Sequence, residues 1–379
     1  MNSNDTKIKY TIKQILIDWW PSFLLLGLFI RPVILEEVKK VIRCRDFRFG
    51  YKLFHCFDCN SFKHVLFTCK SRFCNSCGSK YSKERADAVA SKLYSCKHRH
   101  LVFTIPEELR IYFRKDRESL NLLFEAVSMT LNTWFKRQSK AEEFTPGFVS
   151  TLHTFGRDLK WNPHIHVLLT EGATGNKTVW RPFTHIPYVM LRNKFRTSIL
   201  VLLSKKNKDK KFKQLVSYFY RHYKDGFYVY APPNKHTDVR KALDYVLRYL
   251  GRPAMAQSRI SNYDGKSVTF WYQRHEDNKL MTVTISAIEF IKLLIIHIPD
   301  RQFKMVRYYG IYAKKHKNHS KLFKLVSDKL SKFKKKSRKW RPSIINEFNV
   351  DPLKCSCGGF FEYIESYFTK NSNIDFLPT

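Results

Sequence analysis

Six of the nine cysteines fall between Cys44 and Cys77, and this crowding restricts the fold of that segment more than any other feature of the chain. The order is C-x2-C (Cys56, Cys59) and then C-x4-C-x2-C (Cys69, Cys74, Cys77). Two such knuckles can bring four thiolates around a tetrahedral zinc ion, which organises a segment too small to be held by burial alone. Cys56, Cys59, Cys74 and Cys77 form the first expected set. Cys69 and Cys44 are left over, and either bind a second ion or replace a member of that set. A full thiolate set leaves no open coordination position, so the ion is expected to be structural. The late CSCGG, with Cys355 and Cys357, has a compressed spacing and no second pair, and is expected to be a weak metal site.

The 379 residues point to two or three domains. The formal charge of +37, from 69 Lys and Arg against 32 Asp and Glu, calls for a polyanionic partner. Nucleic acid is the leading candidate, because 31 Phe, 20 Tyr and 7 Trp are spread through folded-looking segments as stacking or core residues would be. The basic and aromatic stretch FKHVLFTCKSRF, with Lys70 and Arg72, suits a phosphate backbone. An anionic membrane surface is the rival partner. The longest apolar run, WWPSFLLLGLFI at 19 to 30, is too short to span a bilayer and reads as a buried or interfacial helix. Asp5 and Asp18 precede it and no small-residue cleavage site follows, so a cytoplasmic, nucleoid-associated protein with no membrane partner is expected.

The expected class is α+β, divided into a helix and zinc-binding domain over 10–100, a catalytic sheet domain over 101–312 and a basic C-terminal region over 313–379. LVFTIP reads as a strand, 107 to 143 as helix, and FVSTLHTFG and HIHVLLT as the arms of a β-hairpin turning through GRDLKWNP. Residues 188 to 223 read as lysine-rich helix, FYVYAPP as strand, and 236 to 253 as the best-defined helix. KSVTFWYQRH and MTVTISAIEFIKLLIIHI read as strand-like, and lysine dominates 314 to 340.

Two constellations carry chemistry. In LKWNPHIHVLLTEG, His164 and His166 project from one face of a strand while Ile165, Val167 and Leu169 anchor the other. Two adjacent imidazoles make half a metal site. His153, on the preceding hairpin strand, is the expected third ligand, with Asp158 and Asp244 as alternatives. A second His-x-His, His98 and His100, encloses Arg99 and lacks that apolar anchor, so it reads as accidental. On the helix over 236 to 253, Tyr245 and Tyr249 lie about 40° apart, off the leucine stripe and beside Lys241, Arg248 and Arg252. A divalent ion withdraws charge from a phosphate while nearby cations stabilise a phenolate, so a phenol can become a phosphoryl nucleophile.

FTCKSRFCNSCG, LHTFGRDLKWNPHIHVLLTEG and YVLRYLGRPAMAQSRI, with further likeness in VTFWYQRHED and FKMVRYYGIY, resemble the rolling-circle transposases of the insertion-sequence-91 type, two-tyrosine members of the HUH endonuclease superfamily. The likeness runs in order over about residues 10 to 320. It implies that His164 and His166 hold Mg²⁺ or Mn²⁺. It implies that Tyr245 and Tyr249 cut single-stranded DNA to a 5′-phosphotyrosine and a free 3′-hydroxyl, and that Cys56, Cys59, Cys74 and Cys77 belong to a zinc-binding domain that reads element ends. The partners implied are single-stranded DNA at element ends and target site. No G-x4-GK[ST] occurs, so strand separation falls to a host helicase or the replication machinery. A plasmid replication initiator or relaxase shares the chemistry, and a non-catalytic zinc-dependent DNA-binding protein shares the charge.

Overall fold

The computed structural model of the chain describes residues 10–90, 92–94, 96–231, 254–274, 277–313, 341–342, 344–345 and 349–368. The chain is α+β, and two compact units are built from non-contiguous segments: Met1–Asp87 with Gly251–Arg301 and Asp328–Thr379, and Ala88–Leu250 with Gln302–Ser327.

In the first unit, helix α1 (Ile12–Leu24) starts where the Thr11 hydroxyl accepts the Gln14 N–H at 3.0 Å, and it buries Ile12, Ile15, Leu16, Trp20 and Phe23. It ends at Leu24, so the apolar run expected to be one helix over 19 to 30 is helical only in its first half. Leu25, Leu26, Leu28 and Phe29 beyond it are exposed. Helix α2 (Pro32–Arg43) opens on a proline, whose missing N–H costs nothing at that position. The hairpin of β1 (Tyr51–Cys56) and β2 (Ser61–Leu66) is followed by α3 (Asn75–Ala90). Strand β12 (Glu362–Tyr367) returns from the far end of the chain to pair antiparallel with β1, giving the order β12-β1-β2. A separate meander joins β8 (Ile260–Tyr263), β9 (Ser267–Gln273) and β10 (Leu280–Ser286).

The segment MTVTISAIEFIKLLIIHI is strand only as far as Ser286. There the Ser286 hydroxyl accepts the Glu289 N–H at 3.2 Å, the Glu289 carboxylate accepts the Ser286 N–H, and α8 (Ala287–Ile295) begins. This reciprocal cap satisfies two donors that the first helical turn leaves unpaired. The period then changes to bury Phe290, Ile291, Leu294 and Ile295.

The second unit is built on an antiparallel sheet of order β11-β4-β5-β3-β7. Its strands are β3 (His98–Thr104), β4 (Phe144–Phe155), β5 (Trp161–Gly175), β7 (Val229–Tyr230) and β11 (Val306–Gly310), with β6 (Arg181–Pro182) against β5. The helix expected over 107 to 143 is divided into α4 (Glu107–Lys115) and α5 (Leu120–Lys136). The break is at Asp116, whose carboxylate accepts the Ser119 hydroxyl at 2.6 Å and the Glu118 N–H at 3.1 Å. The lysine-rich helix divides likewise into α6 (Tyr188–Lys206) and α7 (Lys210–His222), the second capped by Asp209. Leu101, Phe103, Ile165, Val167 and Leu169 alternate onto one face of the sheet and are fully buried, each contributing about 1.5–3 kcal/mol by leaving water. Phe195 of α6 packs edge-on to Phe103 at 5.1 Å, which places that helix on this face. The opposite face carries the histidines.

Candidate metal centres

The β4–β5 register sets the first centre. His153 lies directly across from His164, and Thr151 across from His166, so all three imidazoles share one face of the sheet. The ligand atoms of His153, His164 and His166 lie within 4.8 Å of one another. Phe155 stacks on the His153 ring at 5.1 Å, and the rings of His153 and His166 are 4.4 Å apart. His153 and His166 are buried.

Hydrogen bonds aim the rings. His164 Nδ1 lies 2.7 Å from the Asn162 carbonyl, which can only accept, so Nδ1 carries the proton and Nε2 presents its lone pair. That lone pair points at His166 Nε2, 3.1 Å away. Two nitrogens each about 2.1 Å from one ion and at right angles lie about 3 Å apart, so the pair fits a shared divalent cation. With a cation there, His166 must carry its proton on Nδ1, which lies 2.9 Å from His100 Nε2. Burial pulls the pKa of His164 and of His100 down to about 4, and burial together with its imidazole neighbours pulls His166 well below the ordinary value. The rings are therefore neutral at pH 7, the form that ligates metal. The Arg110 cation adds to the depression of His164.

His98 and His100, which read as accidental in the sequence, lie on this same face of β3. His100 is across from Leu168 and meets His166 edge to edge, with the rings 4° from parallel. Arg99 between them forms a half-buried ion pair with Glu171 at 2.5 Å on the helix-covered face. Asp158 instead closes the β4–β5 turn, its carboxylate accepting the Lys160 N–H at 3.1 Å. Tyr245, Tyr249, Lys241, Arg248, Arg252 and Asp244 lie outside the described residues.

The cysteines form two groups, and they divide the first expected set. Cys74 and Cys77 converge with Cys44 and Cys69, while Cys56 and Cys59 converge with Cys355 and Cys357. In the first group Cys77 Sγ is 3.5 Å from the sulfurs of both Cys44 and Cys69, and Cys74 Sγ is 3.8 Å from Cys44 Sγ. Four sulfurs about 2.3 Å from a tetrahedral zinc lie about 3.8 Å apart, so the spacing fits the ion and exceeds a disulfide of about 2.0 Å. The Cys69 N–H lies 3.4 Å from Cys44 Sγ and the Ser71 N–H 3.5 Å from Cys69 Sγ, the donors a buried thiolate set needs. Mutual hydrogen bonding among the thiols holds Cys77 far below the usual thiol range and pushes Cys69 far above it. Lys70 is exposed in the left-handed conformation at φ 53°, and the Arg72 guanidinium lies 5.2 Å over the Tyr81 ring.

Comparison with known proteins gives the setting of these centres. The IS91-type family described as "Transposase zinc-binding domain" matches residues 15–105, and the family described as "Putative transposase" matches residues 147–320. The "Transposase for insertion sequence element IS801" of Pseudomonas savastanoi pv. phaseolicola is 27% identical over 296 residues, covering 75% of this chain and 71% of that protein. The "Putative transposase y4qJ" of Sinorhizobium fredii (strain NBRC 101917 / NGR234) is 26% identical over 293 residues, covering 72% and 73%. No solved structure matches the chain. The cysteine groups thus begin inside the match to a transposase zinc-binding domain and two strands of the histidine face fall largely within the transposase match: both parts of the chain are similar to transposases of the insertion-sequence-91 type.

Proposed function

We propose that this transposase nicks and transfers single-stranded DNA through a 5′-phosphotyrosine, in rolling-circle transposition of an insertion sequence. The reading rests on one observation above others: three imidazoles from two hairpin strands converge on one face with their ligand atoms within 4.8 Å of one another. His153, His164 and His166 would hold Mg²⁺ or Mn²⁺. When bound, the ion draws charge from the scissile phosphate and makes phosphorus more electrophilic.

The chain's own residues do the rest. The sheet fixes the imidazoles, and the Asn162 carbonyl keeps His164 in the tautomer whose Nε2 carries a lone pair. The phenol oxygen of Tyr245 or Tyr249 forms a bond to phosphorus as the bond to the 3′ oxygen breaks. The phenol proton ends on the departing oxygen, leaving a free 3′-hydroxyl. Reversal with a second 3′-hydroxyl transfers the strand, and two tyrosines allow two strands to be handled in turn. Lys241, Arg248 and Arg252 would offset the phenolate charge, and Lys70 and Arg72 would grip the backbone. Cys44, Cys69, Cys74 and Cys77 would hold a structural zinc. The working compartment would be the cytoplasm, at the nucleoid, with strand separation supplied by a host helicase.

The test is a denaturing gel of protein incubated with single-stranded terminal oligonucleotides and Mg²⁺ or Mn²⁺. A covalent adduct that vanishes in the Tyr245→Phe/Tyr249→Phe double variant is expected. Unaltered DNA affinity with no adduct in either protein would leave a DNA-binding protein and overturn the nuclease reading.

A further inference from the structure

The second cysteine group lies partly outside the matched zinc-binding domain, and its members come from opposite ends of the chain. Cys56 and Cys59 flank the β1–β2 turn. Cys56 Sγ lies 3.6 Å from Cys357 Sγ across a separation of 301 residues, and Cys59 Sγ lies 3.5 Å from Cys355 Sγ. We propose that Cys56, Cys59, Cys355 and Cys357 form a second structural zinc site, which fastens the C-terminal segment of the chain to the N-terminal hairpin.

Three features carry this. The sulfur spacings match a tetrahedral thiolate set of about 3.8 Å and not a disulfide of about 2.0 Å. The backbone of both knuckles is shaped to bring the sulfurs together. Gly358 sits at φ +99°, the Cys355 N–H donates to the Gly359 carbonyl at 2.9 Å, and a Cβ at Gly359 would meet the Asp58 carboxylate oxygen at 1.8 Å. A side chain at Gly359 would have to displace the Asp58 carboxylate, so glycine there lets the C-terminal knuckle approach the N-terminal turn. The Ser61 hydroxyl, 3.0 Å from Cys59 Sγ and 3.6 Å from Cys355 Sγ, supplies a hydrogen bond to the sulfurs.

The third feature is energetic. Of the residues of β12, all but Ser366 are exposed, including Tyr363, Ile364 and Tyr367. A strand with so little burial does not gain enough to offset the entropy of bringing together segments about 300 residues apart. Metal binding supplies folding free energy to small modules of this kind. The compressed C-x-C spacing of Cys355 and Cys357 is accommodated because Gly358 and Gly359 make the turn.

The test is metal content of the full chain, purified without chelator, by elemental mass spectrometry. Two zinc ions per chain are expected, falling to one in Cys355→Ser/Cys357→Ser. Trypsin should then release the C-terminal segment at least tenfold faster. Cys357→His, which keeps a ligand, should retain two ions. Cobalt titration of the metal-stripped wild type should reach its thiolate charge-transfer end point at two equivalents, which guards against a serine variant that misfolds. One zinc per chain in the wild type, unchanged by the serine pair, overturns the proposal. So does a cobalt end point at one equivalent, or iron with acid-labile sulfide in place of zinc. The result does not depend on nuclease activity.

Discussion

His100 offers the sharpest test of how the histidine face works. Its Nε2 lies 2.9 Å from His166 Nδ1, and the two rings lie side by side within 4° of parallel. If His166 gives its Nε2 lone pair to a cation, His100 has to accept the Nδ1 proton. His100→Phe keeps a planar ring beside His166 and removes the acceptor. The variant loses a neutral hydrogen bond, about 1 kcal/mol, and leaves a buried donor on His166 unsatisfied, about 1–3 kcal/mol. Since about 1.4 kcal/mol is a factor of ten, Mn²⁺ affinity should fall about 10- to 100-fold, the range typical of a partner that orients a ligating histidine. His100→Gln can offer its amide oxygen and should recover much of the loss. Titration calorimetry and manganese paramagnetic resonance read the affinity, and adduct formation at saturating Mn²⁺ should recover in His100→Phe. Equal Mn²⁺ affinity in wild type and His100→Phe, alongside lost binding in His164→Ala, would refute the argument, because it would show that the 2.9 Å contact does not set the His166 tautomer.

Other outcomes follow from the same coordinates. Gly310→Ala should destabilise the second unit by at least about 2 kcal/mol, read by thermal unfolding. Gly310 sits at φ +57° and its Cβ would meet the Pro146 carbonyl oxygen at 1.7 Å, which backbone cannot yield. His98 is 2% exposed, and burial holds its pKa down to about 4. Because the folded value is depressed, the stability it contributes is full above pH 6.5 and is lost as pH falls toward 4, by about 3 kcal/mol. Urea unfolding at pH 7 and pH 4.5 should show the loss, and His98→Gln should remove the share of His98 and leave that of His100, His164 and His166. DNA affinity should fall linearly with log salt, with a slope of about −0.7 per phosphate engaged on a single strand, and a flat dependence would detach the +37 charge from the substrate.

The histidine face was legible because a hairpin has few degrees of freedom. The turn is shorter than GRDLKWNP, because Trp161, Asn162 and Pro163 already belong to β5, and with a bulge beside His153 the antiparallel pairing sets His153 opposite His164 while the period of two puts His166 on the same side. The cysteine partition was not legible, since spacing identifies knuckles but not which of them meet. The partners of Cys56 and Cys59 arrive 301 and 296 residues later, through a strand pairing that no local pattern announces. The place of His100 beside His166 was not legible, because the β3–β5 pairing that brings them together joins residues 66 apart. The strand-to-helix change at Ser286 did carry a signal: S-x-x-E, ahead of an apolar run, is a capping box, and the β-branched residues before it masked the new period.

The composition of the histidine centre bears on when it would be loaded. All its converging ligand atoms are imidazole nitrogens, and neutral imidazole adds no negative charge. A divalent ion held there would therefore keep its full charge, and Arg110 nearby adds to the positive potential. Sites with carboxylates offset that charge before substrate arrives, whereas this one would leave the task to the DNA phosphate. Cation and DNA would then bind with positive coupling, each raising the other's affinity by the same factor. Imidazole also suits Mn²⁺ better than Mg²⁺, which prefers oxygen donors, so the phosphate oxygens would matter most when magnesium is the ion. Burial, which keeps His164 and His166 neutral, and alternation, which keeps the rings together, would thus make a centre whose electrostatics the substrate completes.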